Sequence, residues 1–391
     1  MTPRRRSPAL NERELRLWRV GRALVLTFAA AILVAGSVFY ALVVLLDFQE
    51  VDTTAKLDAK TLFDLVKLSF GVVAGSGALV ALVVAYRRQR VDEAGAHREA
   101  TRLHTERFSQ AVDKLGSDSP AVRLGGVHAL AGLADDAPDD NLRQTCIDVL
   151  CAYLQLPFTS DPGNDPAHQE EHHRYLAFRK VRHTILRLIG DHYRRPQGTH
   201  RSWQGCDLDL TGVIIDGGMD FSAAVFSSGK LSFNGATFAS QTGTVEFGGA
   251  VLSGGTLSFN NAVVSAGNLS FDSAVVSAGR LSFHGAVVSG GYLSFSSAVF
   301  SGGTVSFHSA EFSGGGVAFS RATFCGSIVS FLRTVFSGSR VDFDNAAFSG
   351  STVLVRADTA TGQVPEGLLA AVGTPPSASV ILPSAWMPPV P

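Results

Sequence analysis

The sequence predicts a mixed fold: a two-helix transmembrane hairpin, an α-helical linker domain and a β-solenoid. Three observations carry that prediction. From Leu208 to Val355 the chain repeats a twelve-residue unit that reads L-S-F-x-x-A-V-V-S-G-G-x in its cleanest copies. Ala23 to Leu46 and Leu68 to Tyr86 are long apolar runs without a charge. Between the second run and the repeats, apolar residues recur at helical spacing.

Taken in order, residues 1–22 read as a basic tail, 23–86 as the hairpin with spans at 23–46 and 65–86, and 87–200 as a helical stalk and linker domain. Residues 203–355 are the solenoid, and 356–391 a cap with a proline-rich tail. Each uncharged run is long enough to cross about 30 Å of hydrocarbon. Arg4, Arg5, Arg6, Arg13, Arg16, Arg19 and Arg22 lie before the first run, and Arg87, Arg88 and Arg90 follow the second. The connection from Asp47 to Thr61 carries Asp47, Glu50, Asp52 and Asp58 against Lys56 and Lys60. By the positive-inside rule this predicts a two-pass protein of the cell inner (plasma) membrane, with both termini and everything beyond Val91 cytoplasmic. A cleavable signal peptide fits less well, because its apolar region is usually about 7–15 residues long. Asp64 and Lys67 read as an interfacial pair rather than a proton relay. Gly71 and Gly75, with Gly77, leave a smooth strip for close helix contact, within the hairpin or between two copies of the chain.

Beyond Val91, Leu103, Phe108, Val112 and Leu115 form a narrow apolar stripe, and Gly116-Ser117-Asp118 ends it. Ser119-Pro120 has the form of an N-cap followed by proline at the first helical position. It opens a helix through Val122, Leu124, Val127, Leu130 and Leu133, and Asp136 to Asp140 turns the chain into another carrying Leu142, Ile147, Val149, Leu150 and Leu154. Pro166 to Arg195 is a further, basic helix with Tyr175, Phe178, Val181, Ile185, Leu188 and Ile189 on its apolar side. It is suited to pack on the helical hairpin or to cover the first solenoid coil, with Trp203 to Leu208 as the junction.

In the repeats, Phe221, Phe233, Phe247, Phe259, Phe271, Phe283, Phe295, Phe307, Phe319, Phe331 and Phe343 occupy one slot. Five positions later comes a second apolar slot, from Phe226 to Phe348, and two positions before it stands Ala, with Thr334 the exception. The period slips once, by two positions around Gln241 and Thr242. Steps of five and seven are too short for helices. In extended backbone residues i and i−2 share a face, so each triplet points two side chains inward and one outward, with Ser, Gly and Asn at the corners. Stacked copies then bury a continuous interior of Phe and Val, each Phe contributing about 1.5–3 kcal/mol. The middle residue of L-S-F gives an outward column of Ser232, Ser258, Ser270, Ser282, Ser294, Ser306 and Ser330, a candidate docking strip for an extended partner.

The alternating A-x-F and L-x-F triplets resemble the pentapeptide-repeat proteins, over Leu208–Val355. That resemblance implies a four-sided, right-handed β-helix built from strict units of five. Every second unit here is longer by two, so a four-sided coil would span two of the twelve-residue repeats; a flattened coil of a single repeat is the rival geometry. At about 4.8 Å per coil these give rods of roughly 30 and 60 Å, and the four-sided coil is preferred. The stretch from Arg107 to Leu130, including Lys114-Leu115-Gly116-Ser117 and Val122-Arg123-Leu124-Gly125-Gly126, resembles a helical module that accompanies pentapeptide repeats in membrane-anchored actinobacterial proteins.

Little in the chain points to chemistry. His168-Gln169-Glu170-Glu171-His172 has the H-x-x-E-H form that can bind zinc, making His168, Glu171 and His172 weak metal candidates. No third ligand stands at a recognisable position, and a solvated first helical turn accounts for the same residues. The repeat serines have no recurring base beside them, and the Gly-Gly pairs no following helix with a lysine. His284 and His308 read as surface residues. Cys146, Cys151, Cys206 and Cys325 have no disulfide-framework spacing, which suits a reducing compartment. No cofactor is implied.

These features together predict a membrane-anchored, non-enzymatic protein whose solenoid is an interaction or scaffold module for an unidentified protein partner. Self-association through Gly71 and Gly75, or through a solenoid end, is an additional expectation. The resemblance raises an alternative, since some pentapeptide-repeat proteins imitate DNA and inhibit gyrase. Nine acidic against five basic residues from Asp207 to Val355, and a net charge of −1 for the chain, argue against that and against nucleic-acid binding. A zinc-dependent hydrolase is the remaining alternative.

Overall fold

A computed structural model describes residues 59–354 except 159–160, 164 and 240–242, together with scattered residues between 26 and 40 and the segments 364–372, 380–383 and 386. The chain separates into two compact units, Met1–Glu99 and Ala100–Pro391.

The transmembrane hairpin is not supported. No helix among the described residues is long and apolar enough to cross a membrane. The apolar run from Leu68 to Tyr86 is one part of a continuous 57-residue helix, α1 (Ala59–Leu115), in which Asp64 and Lys67 precede the run and a highly charged segment follows it. A side chain added at Gly71, Gly75 or Gly77 would meet no atom within 4 Å, so the small-residue strip packs against nothing described. The first proposed span, 23–46, and the basic tail lie largely outside the described residues.

In the second unit the end of α1 is followed by α2 (Pro120–Asp135), α3 (Asp140–Gln155) and α4 (Gln169–Tyr193). Pro120 opens α2 after Ser119 in extended backbone, and the Asp139 carboxylate caps α3 by accepting from the Leu142 N–H at 2.9 Å. Val127, Leu130 and Ala134 of α2, Ile147, Leu150 and Leu154 of α3, and Val181, Ile185 and Ile189 of α4 form one buried cluster with Ala111 and Leu115. Gly126 permits a close crossing of α2 on the end of α1: a Cβ there would stand 2.6 Å from the Leu115 backbone nitrogen.

Beyond Trp203 the chain is a parallel β-solenoid. Its four sides each hold one strand per coil. One side is the eight-stranded sheet that begins at Leu208–Asp209 and continues through Lys230–Ser232, Arg280–Ser282 and Thr352–Leu354. Ile214–Ile215, Thr237–Phe238 and Val263–Val264 lie on a second side, and Met219–Asp220, Thr244–Glu246 and Asn268–Ser270 on a third. Val287–Ser294 and Glu311–Ala318 run unbroken through both of these sides and join them into one sheet. The fourth side is the six-stranded ladder from Val225–Phe226 to Ala347–Phe348.

Register fixes the coil at two repeats and excludes the single-repeat alternative: Leu281 pairs with Val305 and Val305 with Val329. Where the period slips, Lys230 pairs with Thr256 and Val225 with Val251, so that coil is simply longer by two.

A Phe in every repeat, with two repeats to the coil, makes two columns rather than one. Phe247, Phe271, Phe295 and Phe319 stack with centroids 4.6 to 5.1 Å apart. Phe233, Phe259, Phe283 and Phe307 stack likewise, at 4.8 to 5.1 Å. Each column meets the other edge to face, as at Phe283 and Phe295, 5.7 Å apart at 88°. All eleven phenylalanines of the period are buried, and the offset-stacked and T-shaped geometries are the two that aromatic quadrupoles favour.

The chain turns after each Phe by one recurring device. The N–H of the following Ala donates to the Phe carbonyl, as from Ala298 to Phe295 at 3.1 Å. The residue before that Ala has positive φ, from Ala223 (57°) through Asn261 (55°) to Asn345 (57°). This is the turn requirement that favours Gly or Asn at the third position. Thr334, the exception in the Ala slot, donates its buried hydroxyl to the Phe307 carbonyl at 2.7 Å.

Both solenoid ends are covered by the chain itself. At the start, α3 lies along Leu208–Asp209 and α4 across Met219–Asp220, where a Cβ on Gly190 would stand 2.6 Å from the Asp220 carbonyl oxygen. At the far end Val380–Ile381 adds a strand beside Val353 and Leu354, the backbone of Glu366 bonds to Val341 and Phe343, and Trp386 meets Phe336 at 5.8 Å.

Candidate interaction surface

The expected serine strip does not form. Because each coil takes two repeats, alternate repeats fall on different sides: Ser232, Ser258, Ser282, Ser306 and Ser330 on one, Ser270 and Ser294 on another. Ser232, Ser258, Ser282 and Ser294 are buried. These hydroxyls are also committed, that of Ser232 to Thr211 Oγ1 at 3.1 Å. Ser258 Oγ donates to Asn234 Oδ1 at 2.5 Å and Ser282 Oγ to Asn260 Oδ1 at 2.6 Å, and each acceptor also takes a backbone N–H from the next coil, that of Asn260 or His284. Ser294 Oγ donates to Asp272 in the same way. Asn or Asp one position after the Phe thus stitches successive coils, and the serines are structural.

The central column that faces solvent on the fourth side is mostly apolar and carries no charge. The residue between Ala and the second apolar slot points outward there, giving Val225, Val251, Val275, Val299, Thr323 and Ala347 in unbroken register, the first five half-buried and Ala347 exposed. Beside it run Ser253, Ser277 and Ser301, and on the other flank Ser273, Ser297 and Arg321, the last being the side's charged residue among those described. A signal for this column was present in the sequence, the middle Val of A-V-V. Its use required knowing that every second repeat returns to the same side. His284 and His308 fall one coil apart and stack at 5.1 Å and 11°.

The zinc string is not assembled as a ligand set. His168 ends a short 3-10 turn and forms the N-cap of α4, off the regular helix that holds Glu171 and His172. His172 Nδ1 lies 2.7 Å from Asp161 Oδ1, and the Gly163 N–H and His172 together hold that carboxyl below its usual range. No group of three or more His, Cys, Asp or Glu side chains placed to hold a metal ion occurs among the described residues. Three of the four thiols are equally unsuited to nucleophilic work: burial pushes Cys146 and Cys206 up to about 11 and Cys151 up to about 12, far from the thiolate form at neutral pH.

Charged groups concentrate instead at the junction of helices and solenoid. Asp216 takes Arg179 Nε at 3.0 Å and His183 Nε2 at 3.3 Å on Oδ2. Asp135 holds His192 Nε2 at 3.2 Å and Trp203 Nε1 at 3.1 Å, with the His192 and Trp203 rings stacked at 4.2 Å. Neither cluster has a local signature, since each aspartate is far in the chain from the residues it holds.

Comparison of the chain with protein-family models, with curated proteins and with solved structures finds no match in any of the three. The fold itself, a parallel β-solenoid repeat with phenylalanines at regular spacing, agrees with a pentapeptide-type architecture.

Proposed function

We propose that this chain is a non-enzymatic repeat protein of pentapeptide-repeat type whose solenoid serves as a protein-interaction scaffold. The observation that supports it is the ladder of Val225, Val251, Val275 and Val299, half-buried and without a charge in its central column along the rod. A regular apolar strip on a rigid, capped solenoid suits a flat apolar partner surface. It is the wrong chemistry for imitating a phosphate backbone, which needs dense negative charge.

The test compares crosslinked partners of three chains: full length, a deletion of 208–355, and a Val275→Lys, Val299→Lys variant. Both substituted side chains are partly exposed, so the variant is expected to keep the β-sheet circular dichroism of the parent. Loss of the same partners from the deletion and the double variant supports the reading. A partner set that survives the two lysines on a folded solenoid removes the ladder as the docking face.

A further inference from the structure

We infer that a cleft in the helical module binds an organic phosphate of mononucleotide size, with a planar ring on its aromatic wall and a phosphate dianion at its arginines. The cleft is formed where α2, α3 and α4 meet the segment after α3, and measures about 530 Å³, inside the range of about 300–1,000 Å³ usual for small-molecule sites. Arg123, Arg174 and Arg182 line it together with Tyr153, Phe158 and Phe178.

Arg182 and Arg123 are built in by hydrogen bonds, and Arg174 stands exposed at the rim. Arg182 is 3% exposed; its Nη1 donates to the Leu154 carbonyl at 2.8 Å and its Nη2 to the Ile214 carbonyl at 3.0 Å. Its Nε is buried without a hydrogen-bond partner, and its guanidinium lies 4.6 Å over the Phe158 ring. Arg123 donates from Nη1 to the Tyr153 hydroxyl at 3.0 Å and from Nε to the Ser117 carbonyl, and lies 4.6 Å over Phe178. Arg174 covers the same Phe178 ring, at 5.6 Å. Stacking on rings fixes the guanidinium planes; Arg123, through Nη2, and Arg174 keep donors for an anion, and Arg182 adds its charge.

None of the three forms an ion pair with a carboxylate among the described residues. Glu171 is the one acid lining the cleft, so three positive charges face one negative. The surplus of two matches a phosphate monoester, which carries about −1.5 to −2 near neutral pH; a monocarboxylate would leave half of it uncompensated. Phe158 stacks on Tyr175 at 5.2 Å and 29° and already carries Arg182, so Tyr175 is the ring of this pair against which a base can lie.

The experiment is calorimetric titration of the full-length protein with adenosine 5′-monophosphate, against cyclic adenosine monophosphate, adenosine and inorganic phosphate. Expected is binding of the monophosphate ahead of all three, because each lacks either a charge or the ring. Arg174→Glu should weaken it about tenfold or more, the worth of a charge-assisted contact, while the thermal midpoint of the unliganded variant stays at that of the parent because Arg174 is exposed. Adenosine binding as well as its monophosphate, an Arg174→Glu variant with parental affinity, or no heat at millimolar monophosphate overturns the proposal. A single-stranded oligonucleotide binding more tightly than the monophosphate also overturns it, in favour of a nucleic-acid strand.

Discussion

Gln144 exchanges two hydrogen bonds with the backbone of Asp207: its Nε2 donates to the Asp207 carbonyl at 2.7 Å, and its Oε1 accepts from the Asp207 N–H at 2.9 Å. A helix side chain here does what a neighbouring strand would do. Gln155 bonds the Asp209 carbonyl at 3.0 Å, and Arg182 the Ile214 carbonyl. The first coil is the open edge of a parallel sheet, with a row of peptide groups ready to template another chain. Amides and guanidinia from α3 and α4 occupy that row.

Replacing Gln144 with Ala should therefore do two things. Two hydrogen bonds at an exposed site are lost, at about 0.5–1.5 kcal/mol each, since water can take their place. The edge also becomes available to a second molecule. The expected outcome is a fall in urea-unfolding stability of about 1–3 kcal/mol together with concentration-dependent association in analytical ultracentrifugation. A Gln144→Ala variant that stays monodisperse at every concentration shows that the remaining caps protect the edge unaided.

Gly190→Ala separates local preference from packing. In an isolated helix the change favours folding by about 1 kcal/mol. Here the new methyl would stand 2.6 Å from the Asp220 carbonyl oxygen and 3.0 Å from its nitrogen, both backbone atoms of the first coil. Backbone locked in a sheet cannot step aside as a flexible side chain could, so α4 must lift off. Overpacking of this kind costs about 1–3 kcal/mol, and the net result should be destabilisation. A raised thermal midpoint in Gly190→Ala would mean that the helix slides over the coil without penalty.

How much of this was legible beforehand follows from where each signal lives. The solenoid could be read because a Phe in every repeat, with Ala three positions on, is a local pattern with few foldings. The serine column was misassigned for a geometric reason: a coil that takes two repeats sends alternate copies to different sides, so residues adjacent in the pattern, such as Ser258 and Ser270, lie on different sheets. The hairpin expectation fails because the composition of Leu68 to Tyr86 does not reveal that this run is one stretch of a continuous helix from Ala59 to Leu115. Contacts such as that of Gln144 with Asp207, distant in the chain, leave no trace in a single sequence.

Phe283→Ala tests the aromatic columns. The ring lies between Phe259 at 4.8 Å and Phe307 at 5.1 Å and meets Phe271 and Phe295 edge-on, at 2% exposure. Removing it should cost about 3–5 kcal/mol, as is usual for a buried phenylalanine with its cavity. Because a solenoid is held by contacts between neighbouring coils, the loss also divides the rod into two weakly coupled halves. Urea unfolding should change from one transition to two, with protection from hydrogen exchange lost first around coils 256–306. A single transition displaced to lower urea would show that coupling along the rod runs through the backbone ladders and not through the rings.

Asp216 makes the junction sensitive to acid, and the direction follows from its surroundings. Burial pushes its carboxyl upward, but the hydrogen bond and charge of His183, with Arg179 and Arg182, outweigh burial and hold it below the ordinary carboxylate value. A depressed folded-state pKa means that the unfolded chain binds the proton more readily, so stability rises with pH across the window between the two values. The contribution is complete above the ordinary carboxylate range and disappears as pH falls through the lowered one. Asp216→Asn removes the charge and should be less stable than the parent at neutral pH, with the gap closing progressively in acid and vanishing once the parent's carboxyl is protonated. Urea titrations of both proteins from neutral pH downward read this directly. A gap of constant size at every pH would show that Asp216 serves as a neutral hydrogen-bond acceptor for Arg179, and that its ionisation does not hold α4 to the first coil.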